Sequence, residues 1–373
     1  MNRRALIALS GGVDSSVSAA LTQQAGYDCT GVTMRLFDDA DLGLDPNTTA
    51  DRRSCCSLAD VEYARAAAAR MNMPFYVWDM SADFRRAVIE HFVDEYIRGR
   101  TPNPCIECNR VLKFELLLAR AAQNDFDVLV TGHYARVGYD DTRGRWVLRK
   151  GLDADKDQSY VLYTLTQPQL AHLRLPLGEM TKPQVRALAA VLQLANADKP
   201  DSQNICFVPD GDYAAFIEQW APDRVAAHCP PGDFLDPDGN VIGRHAGIHR
   251  YTLGQRKGLG SFGRPVYVRA IDTAANTVTL GDDAVLAGRD CRVRRLNWVA
   301  LSDGGVRPGD ALSCHVKIGY RHPEARATIT ADPTDPDAVR VRFDEAQRAI
   351  TPGQAAVFYD DDLVLGGGTI ADA

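Results

Sequence analysis

The stretch Ala5-Leu6-Ile7-Ala8-Leu9-Ser10-Gly11-Gly12-Val13-Asp14-Ser15-Ser16 decides the fold of the first half of the chain. Its apolar start, residues 5–9, predicts a buried β-strand. After the two glycines, apolar residues recur at helical spacing, and Gly26 is a typical C-terminal stop. The stretch therefore predicts a strand, a tight turn and a helix over residues 14–25.

A turn between a strand and a helix N-terminus is suited to binding an anion. Glycines let backbone N–H groups approach a phosphate, and the helix dipole favours negative charge there. The hydroxyls of Ser10, Ser15 and Ser16 are candidate further donors. The segment resembles the pyrophosphate loop, or PP-loop (S-G-G-x-D-S), of ATP pyrophosphatases, which implies cleavage of ATP to AMP and pyrophosphate while a substrate is adenylated. An ordinary glycine turn is the structural alternative.

The composition is that of a globular protein. The chain has 373 residues, 45% apolar and 24% charged, which is enough for two or three domains. No stretch approaches the ~18 apolar residues of a membrane span, and Met1-Asn2-Arg3-Arg4 leads directly into the first strand without a signal-peptide core. We therefore expect a cytoplasmic protein with no membrane partner. The net charge of −7 argues against nonspecific polyanion binding, although a local basic face is compatible with nucleic acid.

The first two hundred residues alternate predicted strands and helices. The strands are residues 5–9, 29–36, 75–79 and 127–131, and the helices are residues 14–25, 57–72, 83–98, 110–122 and 182–193. Residues 38–54 predict a loop, and residues 139–147 predict a hairpin. This alternation predicts an α/β domain whose parallel sheet is covered by helices and binds ligands beyond the carboxyl ends of its strands.

The pattern changes after about residue 208. Glycine and proline become frequent, and residues 211–220 form the only clear helical pattern. From about residue 283, short alternating runs predict an antiparallel barrel or sandwich. These changes predict an α/β domain over residues 1–208, a central linker domain over 209–282 and a β-barrel domain over 283–373.

Nine cysteines, an odd number without a signal sequence, argue against a disulfide framework. Four isolated ones are predicted to be buried or incidental, namely Cys29, Cys229, Cys291 and Cys314. The adjacent pair Cys55-Cys56 precedes a predicted helix, and we interpret it as structural or as helping to position a nucleotide.

Cys105 and Cys108 form a C-x-x-C pair in Thr101-Pro-Asn-Pro-Cys-Ile-Glu-Cys-Asn109, which predicts a proline-stiffened loop entering a helix. A thiol near a helix N-terminus has a lowered pKa and is nucleophilic at neutral pH. The two cysteines are compatible with three functions: half of a zinc site, two ligands of an iron–sulfur cluster, or a redox pair. The second C-x-x-C of a zinc ribbon is absent from the sequence.

Cys206 lies much later, in Asp198-Lys-Pro-Asp-Ser-Gln-Asn-Ile-Cys-Phe207. A buried thiol is the structural interpretation. Combined with the PP-loop and Cys108, Cys206 suggests sulfur chemistry. An adenylated substrate offers a good leaving group, a cysteine persulfide supplies the attacking sulfur, and a second cysteine resolves the product by forming a disulfide.

The chain resembles the tRNA-specific 2-thiouridylase family over almost its whole length. The matching stretches, in order, are Ser10–Ser16; Cys55–Ser57 with Asp60; Thr101–Pro104 with Cys108-Asn109; Lys113-Phe114; Thr131–Arg136; Lys156–Tyr160; Asp201-Ser202 with Ile205–Phe207; Tyr251–Leu259; and Pro352–Gln354. The resemblance implies a Rossmann-like, adenine nucleotide alpha-hydrolase-like PP-loop catalytic domain, a small central tRNA-binding domain and a C-terminal antiparallel β-barrel. It also implies ATP-dependent thiolation of C2 of the wobble uridine, U34, in tRNAs of the Lys, Glu and Gln type.

The resemblance implies a role for individual residues. Cys206 would carry the persulfide, supplied by a cysteine desulfurase or a relay protein, and Cys108 would be its partner. ATP, with Mg²⁺ on the pyrophosphate, would lie against Ala8, Leu9, Ser10, Gly11, Gly12, Val13, Asp14, Ser15, Met34 and Gly132. The target uridine would lie against Asn103, Pro104 and Cys105, and the rest of the tRNA would contact His133, Lys156, Asp157, Gln158, Tyr320, Arg321 and Gln354.

These tRNA residues also have structural interpretations. His133 fits a strand-end cap, residues 156–158 fit a polar turn, and Tyr320-Arg321 fits solvated strand surface.

Cys105 departs from the family pattern, in which many members carry Asp at this position. A thiol has an ordinary pKa near ~8.5 against ~3.9 for that carboxyl, so the acid–base role proposed for the Asp does not transfer to it. The substitution also opens a second mechanism, in which Cys105, Cys108 and Cys206 hold three irons of a [4Fe–4S] cluster whose fourth iron binds hydrosulfide.

Two other functions fit parts of the sequence. Another PP-loop ligase or amidotransferase that adenylates a small molecule would need no cysteines. A noncatalytic tRNA-binding or metal-binding module would bind tRNA without forming AMP.

Overall fold

The computed structural model describes residues 3–37, 58–200, 205–208, 210–302 and 304–372. The predicted loop 38–54 and the Cys55-Cys56 pair lie outside these residues. The chain divides into two compact units. The first comprises Met1–Val88, Cys105–Gly211 and Asp362–Val364, and the second comprises Ile89–Pro104, Asp212–Asp361 and Leu365–Ala373. The three domain boundaries given by the sequence patterns stay a prediction.

The first unit is built on a five-stranded parallel sheet, as predicted. Its strands are β1 (Arg4–Ala8), β2 (Asp28–Arg35), β3 (Phe75–Asp79), β4 (Val128–Val130) and β7 (Leu173–Arg174) in the order β3-β2-β1-β4-β7. All four pairings are parallel. The middle strand is the apolar run of the opening stretch, and its residues Ala5, Leu6 and Ile7 are fully buried. The short fifth strand was not predicted.

Helices connect these strands. Those of the first unit are Val13–Gln24, Leu58–Arg70, Ser81–Phe84, Pro104–Glu107, Cys108–Leu117, Leu118–Gln123, Ser159–Leu162, Gln167–Ala171, Pro176–Glu179 and Lys182–Val191. The segment Cys108–Leu117 is a π-helix, as is Arg85–Ile89, which joins Ser81–Phe84 to Glu90–Ile97. Lys182–Val191 begins at a capping box formed by Thr181 and Gln184. The α/β prediction is confirmed.

The predicted hairpin is present and longer than expected. It consists of β5 (Ala135–Asp140) and β6 (Arg145–Lys150), paired in antiparallel register. Residues 362–364 of the first unit pair with β6 through Leu363 and Arg149. The carboxylate of Asp362 accepts hydrogen bonds from Arg136 at 2.7 Å and from Arg149 at 2.8 Å.

The second unit contains two groups of strands. The smaller sheet joins β8 (Gly232–Leu235), β9 (Val241–His245), β10 (Tyr267–Asp272) and β11 (Thr277–Gly281) in the order β10-β11-β8-β9. Helices Glu90–Ile97, Tyr213–Trp220 and Pro222–His228 belong to the same unit, together with the short turns Ile248–Arg250 and Asp283–Leu286. The prediction that residues 211–220 form the only helix here was wrong. Pro222 begins a second helix because proline suits the first helical position.

The C-terminal strands form the predicted antiparallel barrel. They are β12 (Ala287–Trp298), β13 (Ala311–Lys317), β14 (Ala325–Ala331), β15 (Ala338–Arg348), β16 (Ala355–Asp360) and β17 (Leu363–Asp372), in the order β12-β15-β14-β13-β16-β17. Pairing of β12 with β17 closes the ring. In the part of the chain described here, no helix has the length and apolar character needed to cross a membrane.

Candidate active site

The opening stretch places a glycine loop at the carboxyl end of the middle strand. β1 ends at Ala8, and the helix Val13–Gln24 begins immediately after Gly12. The helix has 12 residues, so its N-terminus presents unpaired backbone N–H groups and the positive end of its dipole. This geometry is suited to an anion, and the ATP contacts expected of residues 8–15 stay a prediction.

Two glycines are required by close backbone contacts at this loop. Gly11 has a φ of +72°, and a Cβ placed on it would overlap the backbone of Asp60. Gly132 follows β4, the neighbour of β1, and a Cβ there would lie 2.8 Å from the backbone nitrogen of Ser15. Thus Gly132 contacts the loop because two adjacent parallel strands end side by side.

The serine hydroxyls form hydrogen bonds within the loop. Those of Ser15 and Ser16 donate to the carbonyl of Gly12 at 3.0 Å and 3.2 Å, and the backbone N–H of Ser10 donates to the Ser15 hydroxyl at 3.1 Å. In this arrangement both hydroxyls bind the backbone of the loop itself, and their donation to a phosphate stays a prediction. Their hydroxyls brace the turn, and the exposed side chain is that of Ser10.

Asp14 is tied to a buried lysine that the sequence patterns did not single out. The Lys182 ammonium lies 2.8 Å from each carboxylate oxygen of Asp14, and only 9% of the lysine side chain is exposed. The Tyr134 hydroxyl donates to the same carboxylate at 2.7 Å. The charge of Asp14 is therefore compensated at the loop.

A second group ties the loop to the segment that leads toward Cys206. The Asn196 side-chain amide donates to the carbonyl of Gly11 and to the Ser16 hydroxyl, both at 3.0 Å. Lys199 forms an ion pair with buried Asp60, and its ammonium lies 3.5 Å from the Gly11 carbonyl. The sequence patterns did not single out Asn196, and they included Lys199 only as part of the stretch that contains Cys206.

The loop has open space for a ligand. A Cβ on Gly12 would meet only the Ser10 hydroxyl, at 3.4 Å, so the space beside this glycine is open. Half-buried Met34 lies near the carboxyl end of β2, beside β1. Both carboxylates at the loop, Asp14 and Asp60, already accept a lysine ammonium, so neither is arranged as a ligand of Mg²⁺.

The C-x-x-C pair lies within a helix and not on a loop before it, which corrects the prediction. The helical segment begins at Pro104, so Cys105 lies in its first turn and is exposed. Cys108 begins the π-helical segment and is half-buried. Proline is favoured in the first helical turn, where its absent N–H is not needed, so Pro104 starts the helix earlier than expected.

Cys206 belongs to the same unit as Cys108 and is also half-buried. It lies in a turn in which the N–H of Val208 donates to the carbonyl of Ile205 at 3.0 Å. The next residue, Phe207, is buried and packs edge-on against Phe84, with ring centroids 5.7 Å apart. The core contact of Phe207 therefore anchors the backbone beside Cys206.

Within the described ranges, no group of three or more His, Cys, Asp or Glu side chains is arranged to hold a metal ion. Cys105, Cys108 and Cys206 all lie in those ranges, so the structure does not gather them as the three ligands of a cluster. The four isolated cysteines are buried, as predicted, and burial raises the pKa of Cys29 to about 11 and that of Cys314 to about 12.

Three family models match the chain. They are the tRNA methyl transferase HUP domain over residues 3–210, the tRNA methyl transferase PRC-barrel domain over residues 219–282 and the aminomethyltransferase β-barrel domain over residues 288–370. The tRNA-specific 2-thiouridylase MnmA of Symbiobacterium thermophilum is 50% identical over 100% of this chain and 93% of its own. That of Acetivibrio thermocellus is 45% identical over 99% of each chain.

The chain belongs to the tRNA-specific 2-thiouridylase family. Among solved structures, a 4-thiouridine synthetase–RNA complex with bound ATP is 17% identical, covers 60% of this chain and 52% of that one, and has a TM-score of 0.37. That likeness is too low to support an argument about this chain.

The residues expected from the 2-thiouridylase pattern to contact tRNA differ in exposure. Tyr320 and Arg321 are exposed, and the Lys317 ammonium lies 5.8 Å from the centre of the Tyr320 ring. His133 is buried, and its Nδ1 atom lies 2.7 Å from the Thr131 hydroxyl. Burial is the main cause that holds the pKa of His133 well below its usual range, and the nearby Lys113 ammonium lowers it further. The ring is therefore neutral.

Other residues expected to contact tRNA form hydrogen bonds with backbone groups. The Asp157 carboxylate accepts the N–H groups of Gly151 and Ser159, at 2.9 Å and 3.1 Å. Gln158 accepts the N–H of Tyr134 at 3.0 Å. Gln354, in the second unit, donates its amide to the Thr101 carbonyl at 2.8 Å. These contacts fit the structural interpretation of a polar turn at residues 156–158. The tRNA contacts expected of Lys156, Asp157, Gln158 and Gln354 stay a prediction.

Proposed function

We propose that this protein thiolates C2 of the wobble uridine in tRNA, with ATP as the activating substrate and a persulfide on Cys206 as the sulfur source. The proposal is supported by the relatives, which are tRNA-specific 2-thiouridylases by name. The observation that carries it is the phosphate loop of residues 10–14, which lies in the same compact unit as Cys108 and Cys206.

The loop holds ATP through backbone groups. The N–H groups from Gly11 to Ser15 face the phosphates, while Met34 and Gly132 border the adenosine. Lys182 contributes by cancelling the charge of Asp14, which would otherwise repel the triphosphate. Mg²⁺ stays a prediction from the sequence.

The first step activates the uridine. Its O2 atom attacks the α-phosphate, the bond to the β-phosphate breaks, and pyrophosphate leaves. The former carbonyl oxygen is now part of AMP, which is a good leaving group. A wobble base has to leave its stack to reach such a pocket.

The second step transfers sulfur. The terminal sulfur of the Cys206 persulfide attacks C2, and AMP leaves with the original O2. The Cys108 thiolate then attacks the Cys206 sulfur, which breaks the S–S bond, releases 2-thiouridine and forms a Cys108–Cys206 disulfide. A dithiol reductant restores both thiols, and a cysteine desulfurase or a relay protein reloads Cys206.

Reconstitution tests the proposal. The protein is incubated with ATP, a tRNA of the Lys, Glu or Gln type, a cysteine desulfurase with its relay protein, and a dithiol, and 2-thiouridine is measured by mass spectrometry. We expect Cys206→Ser and Cys108→Ser each to lower the rate on the order of 10³-fold or more, as loss of a nucleophile does. The matched control is Cys291→Ala, because this buried barrel cysteine is outside the site.

Two further measurements separate the alternatives. Full turnover by iron-free protein supports the persulfide mechanism, whereas activity that follows iron content overturns it in favour of the cluster. Pyrophosphate release that needs no tRNA, with Cys206→Ser unaffected, overturns thiolation in favour of a small-molecule ligase. The cytoplasmic location stays a prediction.

A further inference from the structure

We propose that Thr101, held by the turn Pro352-Gly353-Gln354 and by Thr252, is a positioning residue for the helix that carries Cys108. We call these five residues the Thr101 clamp. The inference rests on the proposed function and goes beyond it, because it assigns Thr101 and its partners a role toward the cysteine helix.

Three polar groups of Thr101 are engaged by the clamp. Its N–H donates to the carbonyl of Pro352 at 3.0 Å, and its carbonyl accepts the side-chain amide of Gln354 at 2.8 Å. Its hydroxyl donates to that of Thr252 at 3.1 Å. All these residues belong to the second unit. Three separate sequence stretches therefore meet at one residue.

Gly353 is the residue that allows this approach. Its φ is +91°, and a Cβ placed on it would lie 2.9 Å from the carbonyl oxygen of Thr101 and 3.0 Å from its nitrogen. Gly353 is itself fixed, because its N–H donates to the carbonyl of Ile370 on β17 at 2.8 Å. The barrel backbone thus sets the place of Thr101.

The position of Thr101 is passed on through a short, stiff segment. Pro102 and Pro104 each fix one backbone φ, and each restricts the residue before it. The helix with Cys105 in its first turn begins at Pro104, and the chain passes from the second unit into the first directly after Pro104. A shift of Thr101 therefore moves the start of the helix that carries Cys108, and a misplacement of about 1 Å at a reacting group costs on the order of 10²-fold in rate.

The test compares two glycine substitutions with matched backbone strain. Gly353→Ala adds both strain and a clash with Thr101, whereas Gly309, with a φ of +90°, has nothing within 4 Å of an added Cβ. We expect Gly353→Ala to lower kcat for thiolation about tenfold to a hundredfold, with Kd for tRNA changed less than about threefold, while Gly309→Ala keeps the wild-type kcat. Equal effects of the two substitutions overturn the clamp.

Substitutions at Thr101 and Gln354 test the clamp in a second way. Thr101→Val removes the hydroxyl at constant shape, and we expect a lower kcat that Thr101→Ser restores. Gln354→Leu is also expected to lower kcat, because it removes the hydrogen bond to the Thr101 carbonyl. A Gln354→Leu variant whose Kd for tRNA rises while kcat is unchanged overturns the inference in favour of a direct RNA contact.

A third readout does not depend on thiolation. The rate of Cys108 alkylation by iodoacetamide, measured by mass spectrometry without tRNA, reports the surroundings of the thiol. We expect this rate to change at least about threefold in Gly353→Ala and to stay at the wild-type value in Gly309→Ala. If the wild-type protein makes no 2-thiouridine, the proposed function fails, and the alkylation rates still decide the clamp. Identical alkylation rates overturn it.

Discussion

The phosphate loop and the cysteine segments are held in different ways. Asp14 of the loop is neutralised by Lys182, and neighbouring Asp60 is neutralised by Lys199. The cysteines are held through their neighbours: Phe207 anchors the turn beside Cys206, and Thr101 anchors the segment before Cys108. Cys108 and Cys206 themselves stay half-buried.

This difference follows from what each region binds. A triphosphate carries its charge into the site, so the loop has to present N–H groups and avoid uncompensated carboxylates. A thiol that accepts sulfur and later attacks a neighbouring sulfur needs access to both partners, and a fully buried thiol lacks it. Electrostatic compensation therefore suits the loop, and backbone anchoring suits the cysteines.

Among the changes that test this difference between the two regions, the largest effect should follow from removing the lysine that compensates the charge of Asp14. Lys182→Met leaves a carboxylate beside the triphosphate, and we expect ATP affinity to fall about tenfold to a hundredfold, the usual range for a charged hydrogen bond of 1.5–3 kcal/mol. Calorimetric titration with ATP measures it. The double variant Asp14→Asn with Lys182→Met should recover most of the loss, because the uncompensated charge is then absent. Wild-type affinity in Lys182→Met would contradict this account of the loop.

An intermediate effect should follow from loosening the anchor beside Cys206. Phe207→Leu keeps an apolar side chain but loses the edge-on contact with Phe84. We expect thiolation to fall about tenfold from misplacement of the sulfur, while ATP affinity stays unchanged. The control is Phe343→Leu, which alters an equally buried ring in the barrel. If Phe207→Leu instead weakened ATP binding and left sulfur transfer intact, the two regions would not be separable.

The sequence predicted the parts of the site that are local. The strand, glycine turn and helix at residues 5–25 follow from apolar periodicity and two glycines, and the structure confirms them. The early helix start at Pro104 had a signal, because proline favours the first helical turn, but the two prolines were interpreted as stiffening a loop.

Contacts between distant segments had no comparable signal. Lys182 and Asp14 are 168 positions apart, and nothing in the spacing around Lys182 distinguishes it from a solvated residue of a helix start. The π-helical segment Cys108–Leu117 departs from the 3.6-residue period on which the helix predictions rest. The two-residue strand β7 is too short to show alternation. In each case tertiary packing decides the structure.

The smallest expected effect is the change of the free energy of unfolding with pH that is due to His133, in the loop that follows β4. Because burial keeps His133 neutral in the fold, its folded pKa lies below the ordinary value of about 6.5, and the unfolded chain binds an extra proton as the pH falls below that value. The free energy of unfolding should therefore decrease on acidification, by at most about 1.4 kcal/mol per pH unit for this group. Urea unfolding at pH 7.5 and 5.5 measures the change.

The matched variant is His133→Asn, which retains a polar partner for Thr131 but does not titrate. Burial also lowers the pKa values of His245 and His249 in the second unit, and these two residues contribute equally to both proteins. The contribution of His133 is therefore the difference in pH dependence between the wild type and the variant. We expect the variant to lose less stability between the two pH values than the wild type. Equal losses would mean that folding does not lower the pKa of His133, and the loop at Gly132 would then carry a positive charge at pH 5.5.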